Sequence, residues 1–263
     1  MLIKRIISSI LLIIFISAII IVKWVCGLVT ILFIILGLNE YFSMLEKKGI
    51  KIYKYLGIGI GVIIPLSIAL QFELTKSWEL FLIVFALLAL IVMQFRRRDN
   101  SGSVIDISTT LFGILYVSWF LSFMIKIRYL EGGLGLFLSV LLIAKMGDIG
   151  AYLVGSRFGK TLLLPRISPK KSVEGSIGGL IFSMLGALIS KPFLHFSYLH
   201  VLLLGLFFGV LAQLGDLSES LIKRDCRIKD SGNIFPGMGG VLDIVDSLLF
   251  TAPVFYFYIS SIK

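Results

Sequence analysis

The chain has 263 residues, 58% hydrophobic and only 15% charged, with a mean hydropathy of +1.02. A globular domain carries about 25% charged residues, so a soluble fold is excluded. The formal charge of +10 sits in short loops beside apolar runs, which excludes a nucleic-acid-binding surface as its origin and points to lipid headgroups or phosphorylated substrates.

Apolar runs close to the ~20 residues that cross a bilayer occupy 6–22, 24–44, 55–72, 78–95, 104–125, 133–155, 175–197, 199–221 and 240–260. They predict an all-α, polytopic integral membrane protein of about nine transmembrane helices. The first run follows Lys4 and Arg5 but exceeds a signal-peptide core and lacks a small-residue cleavage site, so it reads as an uncleaved anchor. With the amino terminus in the cytoplasm, most basic residues fall in the cytoplasmic loops at 47–54, 96–98, 157–171 and 223–229. The opposite side holds Lys23, Lys76, Lys126, Arg128, Lys191 and Lys263, and this asymmetry sets the orientation. Arg96, Arg97 and Arg98 read as a headgroup anchor. Cys26 and Cys226 offer neither a disulfide framework nor a metal-thiolate spacing. His195 and His200 lie away from the basic loops, which excludes histidine chemistry at a cytoplasmic site.

Residues 1–100 are nearly all span and short loop, with Glu40 the one acidic residue placed within a helix, and read as a transmembrane scaffold. Residues 101–263 put polar groups into spans and carry longer cytoplasmic loops at 156–174 and 222–239, so the catalytic region belongs there, within one membrane-embedded unit.

Asp148 opens the first polar cluster, set among apolar residues with Lys145 one turn earlier. It reads either as an internal ion pair or as a substrate or metal contact. The stretch G-S-R-F-G-K-T has three residues between Gly155 and Gly159 where a Walker loop needs four, and it follows a span rather than a strand, so a P-loop is excluded. The loop beyond it is nonetheless suited to phosphate: Lys170 and Lys171 of S-P-K-K-S, with Arg166, can neutralise a triphosphate.

The second cluster runs from Asp216 to Asp246. Asp216, Glu219, Ser220 and Lys223 share one helix stripe, and Asp243 and Asp246 share a face at the start of the last span. An ionised side chain at the centre of a membrane helix costs roughly 2.5–3.5 kcal/mol even on the lenient scale, so such residues mark function. Three converging carboxylates require a cation, and hard oxygen ligands beside phosphates point to magnesium. Between the two stretches, Gly237, Gly239 and Gly240 precede a helix start, where backbone N–H groups approach an anion, with Arg224 and Lys229 nearby.

Together the clusters resemble the phosphatidate cytidylyltransferases, or CDP-diglyceride synthetases. That signature is matched at Ser220, Lys223, Arg224, Lys229, Asp230, Gly232, Pro236, Gly237, Gly239, Gly240, Asp243 and Asp246. The run from Asp148 to Gly175 looks like a second block of the same family, and L-F-G-I-L-Y-V at 111–117 is similar to a third. The likeness covers 101–263, and the first hundred residues by hydropathy alone. Met238 stands where the signature has histidine, and Ile244 where it has arginine.

The resemblance implies transfer of the cytidylyl group of CTP to phosphatidate, giving CDP-diacylglycerol and pyrophosphate, with magnesium required. Asp216, Asp243 and Asp246 would hold metal, with Ser220 assisting a second cation, and Lys223 would meet substrate phosphate. Ser220, Arg224, Lys229, Asp148, Lys170, Lys171, Arg166, Gly237, Gly239 and Gly240 are the expected substrate contacts. A homodimer in a bacterial-type inner membrane, with its site facing the cytoplasm, is also implied. Two rival readings are an ion-coupled transporter, which places acids near the midplane rather than beside basic loops, and a CTP-dependent kinase of a polyprenol or isoprenoid alcohol.

Overall fold

The computed structural model describes residues 17, 19, 22–72, 74, 75, 77–98 and 101–262. Lys4, Arg5 and all of the expected span at 6–22 except residues 17, 19 and 22 fall outside the described residues. Helices follow in chain order: α1 (Lys23–Lys47), α2 (Lys54–Ala69), α3 (Trp78–Phe95) and α4 (Ser103–Gly113), which continues through a π-helical segment (Ile114–Trp119) into α5 (Phe120–Tyr129). Then come α6 (Gly133–Phe158), strands β1 (Leu162–Leu164) and β2 (Ser168–Ser172), α7 (Val173–Ile189), α8 (Tyr198–Asp225) and α9 (Leu242–Ile262). Apolar runs of this length form helices because hydrocarbon offers no partner to an unpaired backbone group.

Among the described residues six helices are long and apolar enough to cross a membrane, and their outer faces are apolar, as on α3 with Phe81, Phe85, Leu88 and Val92. A soluble surface does not carry such continuous apolar stripes; this is an integral membrane protein. The count of nine is not reached among the described residues, because α2 and α7 are shorter apolar helices. The run 175–197 does not stay helical. It stops at Ile189, where Ser190 to Leu194 form turns and Pro192 disfavours helix at the preceding residue. The loop expected at 156–174 contains a hairpin, β1 pairing antiparallel with β2.

The chain forms two compact units, one of residues 1–125 and 226–242, the other of 126–225 and 243–263. In the first, Ile60 and Ile64 of α2, Leu82 and Ala86 of α3 and Ile114 of the π segment make a buried cluster. Arg97 is an internal partner rather than a headgroup anchor: its guanidinium lies 2.8 Å from Asp106, donates to the Lys51 carbonyl at 2.7 Å and covers the Tyr53 ring at 4.0 Å.

In the second unit, α7 turns a stripe of small residues inward at every fourth position: Gly175, Gly179, Ser183 and Ala187. Small residues let helices without a hydrophobic driving force approach closely. Ser183 Oγ donates to the Ile143 carbonyl of α6 at 3.0 Å. His200 stacks on Phe196 and meets the Tyr258 hydroxyl, so it belongs to packing.

Candidate active site

Within the second unit, α6, β2, α7, α8 and α9 line an open cavity of about 660 Å³. Asp148 enters it from α6, Lys170 and Lys171 from β2, Asp216 and Lys223 from α8, and Asp243 and Asp246 from the first two turns of α9. The helical spacings read from the sequence deliver these groups to one space. Gly215 brings the two acidic helices together, since a Cβ there would run into the Asp246 carbonyl oxygen.

Each carboxylate meets a compensating donor. Lys171 Nζ lies 2.6 Å from Asp216 Oδ2, an ion pair without hydrogen-bond alignment. Lys223 Nζ donates to Asp243 Oδ1 at 2.5 Å and pairs with Glu219, one turn back on α8 and 1% exposed. Lys145 Nζ donates to Asp148 Oδ2 at 2.8 Å, to the Ile244 carbonyl at 2.8 Å and to Ser247 Oγ at 2.9 Å, while Ser247 Oγ donates to Asp148 at 3.1 Å. Asp148 thus forms the internal pair and also lines the cavity. Asp246, 7% exposed, accepts from the Ser247 backbone at 2.6 Å.

The hairpin carrying the two lysines is held at both ends. At its tip, Pro165 pre-sets a turn closed by Ile167 N–H to the Leu164 carbonyl at 3.0 Å. Arg224 Nε donates to the Ile167 carbonyl at 3.2 Å. At its base, Ser172 caps α7 by accepting from Gly175 N–H at 3.1 Å. Glu174, outside the six long spans, accepts from Lys160 N–H at 3.1 Å and Thr161 N–H at 3.2 Å. Its own backbone N–H and those two hold its carboxyl down at about 2.

Other expected site residues lie elsewhere. Arg166 is in the hairpin turn and Ser220 is buried in α8; neither lines the cavity, nor does Arg224, whose visible role is to hold the hairpin. Lys229, Gly237, Gly239 and Gly240 belong to the first unit. Gly237 and Gly239 take positive φ values of 84° and 105° in a turn closed by Phe235 N–H to the Gly239 carbonyl at 2.9 Å. Met238 lies in that turn, 37% exposed, and Ile244 contributes its carbonyl to Lys145.

The sequence reading missed Ser176 and Gln213, which face the cavity. Gln213 Nε2 donates to the Ser176 carbonyl at 2.9 Å, and the Ser176 hydroxyl donates back to Gln213 Oε1. A glutamine mid-span was the available signal. Lys145 and Ser247 were also left out of the site.

The donor chemistry suits a hard divalent cation, since the acids lining this cavity supply only oxygen. The arrangement is compensated by lysines: among the described residues, no three His, Cys, Asp or Glu side chains group closely enough to hold a metal ion.

The pattern of the Cytidylyltransferase family matches residues 3–262. The chain is similar to a phosphatidate cytidylyltransferase of Synechocystis sp., 34% identical over 92% of this chain and 91% of that one. It is similar to the Bacillus subtilis phosphatidate cytidylyltransferase, 34% identical over 88% of each, and to the uncharacterized protein YnbB of Escherichia coli, 34% identical over 85% of this chain and 75% of that one. With a match across nearly its whole length and an acidic, lysine-lined cavity between membrane helices, the chain belongs to the cytidylyltransferase family.

Proposed function

We propose that the protein transfers the cytidylyl group of CTP to phosphatidate, yielding CDP-diacylglycerol and pyrophosphate for phospholipid synthesis. The observation that carries this reading is the single cavity in which Lys170, Lys171 and Lys223 face Asp148, Asp216, Asp243 and Asp246. Relatives of similar length named phosphatidate cytidylyltransferase support the choice of lipid.

A phosphate oxygen of phosphatidate attacks the α-phosphorus of CTP; the bond from the α-phosphorus to the oxygen bridging to the β-phosphorus breaks, and pyrophosphate leaves with that oxygen. The protein contributes position and charge rather than covalent chemistry. Lys170 and Lys171 neutralise the triphosphate, and Lys223 meets the lipid phosphate. Asp216, Asp243 and Asp246, which line the cavity, would hold Mg²⁺ and a second cation. A cation held by these carboxylates would supply positive charge to the phosphoryl oxygens. The lysines now paired with these acids are the counter-charges that substrate and metal would share.

In this reading the cavity faces the cytoplasm of a bacterial-type inner membrane. CTP arrives from water and phosphatidate from the leaflet, and the basic loops mark that side. The protein works as a homodimer, as its family resemblance implies, and takes no nucleic acid.

Pyrophosphate release by the purified protein in detergent, with CTP, phosphatidate and Mg²⁺, tests the reading. Release must require both substrates and be lost in Asp246→Asn. Release without the lipid, or unchanged release in Asp246→Asn, would sink it.

A further inference from the structure

Glu40 lies within α1, about two turns before its end at Lys47, and is 5% exposed. A carboxylate in such a place is costly unless hydrogen-bonded, and its partners show what it is for. Glu40 Oε1 accepts from Val241 N–H at 2.9 Å, and Oε2 accepts from Leu242 N–H at 3.0 Å and from the Ser231 hydroxyl at 3.1 Å. The two backbone donors are among those a helix leaves unsatisfied at its start, and the helix they begin is α9. A carboxylate there also meets the positive end of the helix dipole.

Side chains around it keep the segment 231–242 on the same face of α1. At positions i, i+4 and i+7 of that helix, Phe33 meets the Phe235 ring at 6.2 Å, Gly37 leaves only 3.2 Å from an added Cβ to Leu242, and Glu40 takes the N–H groups. A Cβ on Gly232 or Gly240 would overlap the Glu40 carboxyl itself. The residue after Leu242 is Asp243, and Asp246 follows one turn later.

We infer that Glu40 is a positioning residue for cytidylyl transfer: it caps α9 from a different helix and so fixes the start of the helix that carries Asp243 and Asp246 into the cavity. The inference rests on the proposed activity and adds a residue outside the cavity to it. It acts through the backbone N–H groups of Val241 and Leu242.

The test compares wild type, Glu40→Gln, Glu40→Asp and Ser231→Ala, purified in the same detergent. Removing support one shell behind a functional group costs about 10–100-fold in activity. Glu40→Gln, which trades one acceptor oxygen for a donor, is expected to lose that much in kcat with KM for CTP changed less than about twofold. Glu40→Asp, which keeps the charge, should recover part of the loss. Amide exchange at Val241 and Leu242 should quicken in Glu40→Gln.

Wild-type kcat in Glu40→Gln, or a loss shared equally by kcat and folded yield with no recovery in Glu40→Asp, overturns the inference. If Glu40→Gln does not fold, Ser231→Ala decides: it removes one donor and leaves the helix start intact, and kcat must fall at unchanged thermal stability. Wild type that makes no pyrophosphate overturns the activity reading instead. The exchange rates at Val241 and Leu242 still test the cap in that case, and unchanged rates in Glu40→Gln would refute it.

Discussion

Replacing Lys223 by methionine keeps most of the side-chain stem and deletes the ammonium that faces both Glu219 and Asp243. Lys223 is 8% exposed and Glu219 is 1% exposed, so the deletion strands buried acid rather than exposing it to water. Breaking a buried pair by removing one partner costs about 3–5 kcal/mol. At roughly 2–4 °C per kcal/mol for a chain of this size class, the melting temperature should fall by about 6–20 °C. Much of that cost is the uncompensated carboxylate, so Lys223→Met combined with Glu219→Gln should recover most of the stability. It should not recover activity: losing a preorganised charge aimed at a phosphoryl oxygen costs about 10²–10³ in kcat. Thermal unfolding in detergent, run beside pyrophosphate release, reads both quantities. A single variant as stable as wild type, or a double variant no more stable than the single, would refute the counter-charge role.

The hairpin yields a second prediction. Lys171→Met should raise KM for CTP by about tenfold or more, since a charged hydrogen-bond partner is lost, whereas Arg166→Ala should change it by less than about threefold because Arg166 does not line the cavity. Steady-state kinetics on the two variants decides between the loop as a whole and its cavity-facing lysines. Glu174 gives a third, with the sign set by its lowered pKa. Its contribution is fully present above the ordinary carboxyl value of 4.5 and fades as pH falls toward about 2. Protection of the Lys160 and Thr161 amides, compared with Glu174→Gln across that window, should decline in wild type and be low throughout in the variant; equal protection would contradict the tie.

Much of the candidate site's geometry was legible because a helix converts spacing into direction. Asp216 and Lys223 at i and i+7, and Asp243 and Asp246 at i and i+3, needed only the helical period to be placed on common faces. Hydropathy likewise located the six long apolar helices found among the described residues, since a bilayer allows few alternatives. What escaped the sequence reading depends on distant partners. Arg97 looked like a headgroup anchor until Asp106 and Tyr53 were seen around it. Glu40 looked like part of a scaffold because its partners lie some two hundred residues away. The hairpin at 162–172 has too few residues to show a strand period, and the end of α7 was masked by apolar residues continuing past Pro192.

In cytidylyl transfer the nucleotidyl group, and not the terminal phosphate of CTP, goes to the lipid. Parallel reactions with CTP radiolabelled at the α- or the γ-phosphorus, each extracted into organic solvent, test it directly. Label from the α-position in the lipid phase, with γ-label in aqueous pyrophosphate, is the predicted result. Label from the γ-position in the lipid would identify a CTP-dependent lipid kinase and contradict the account.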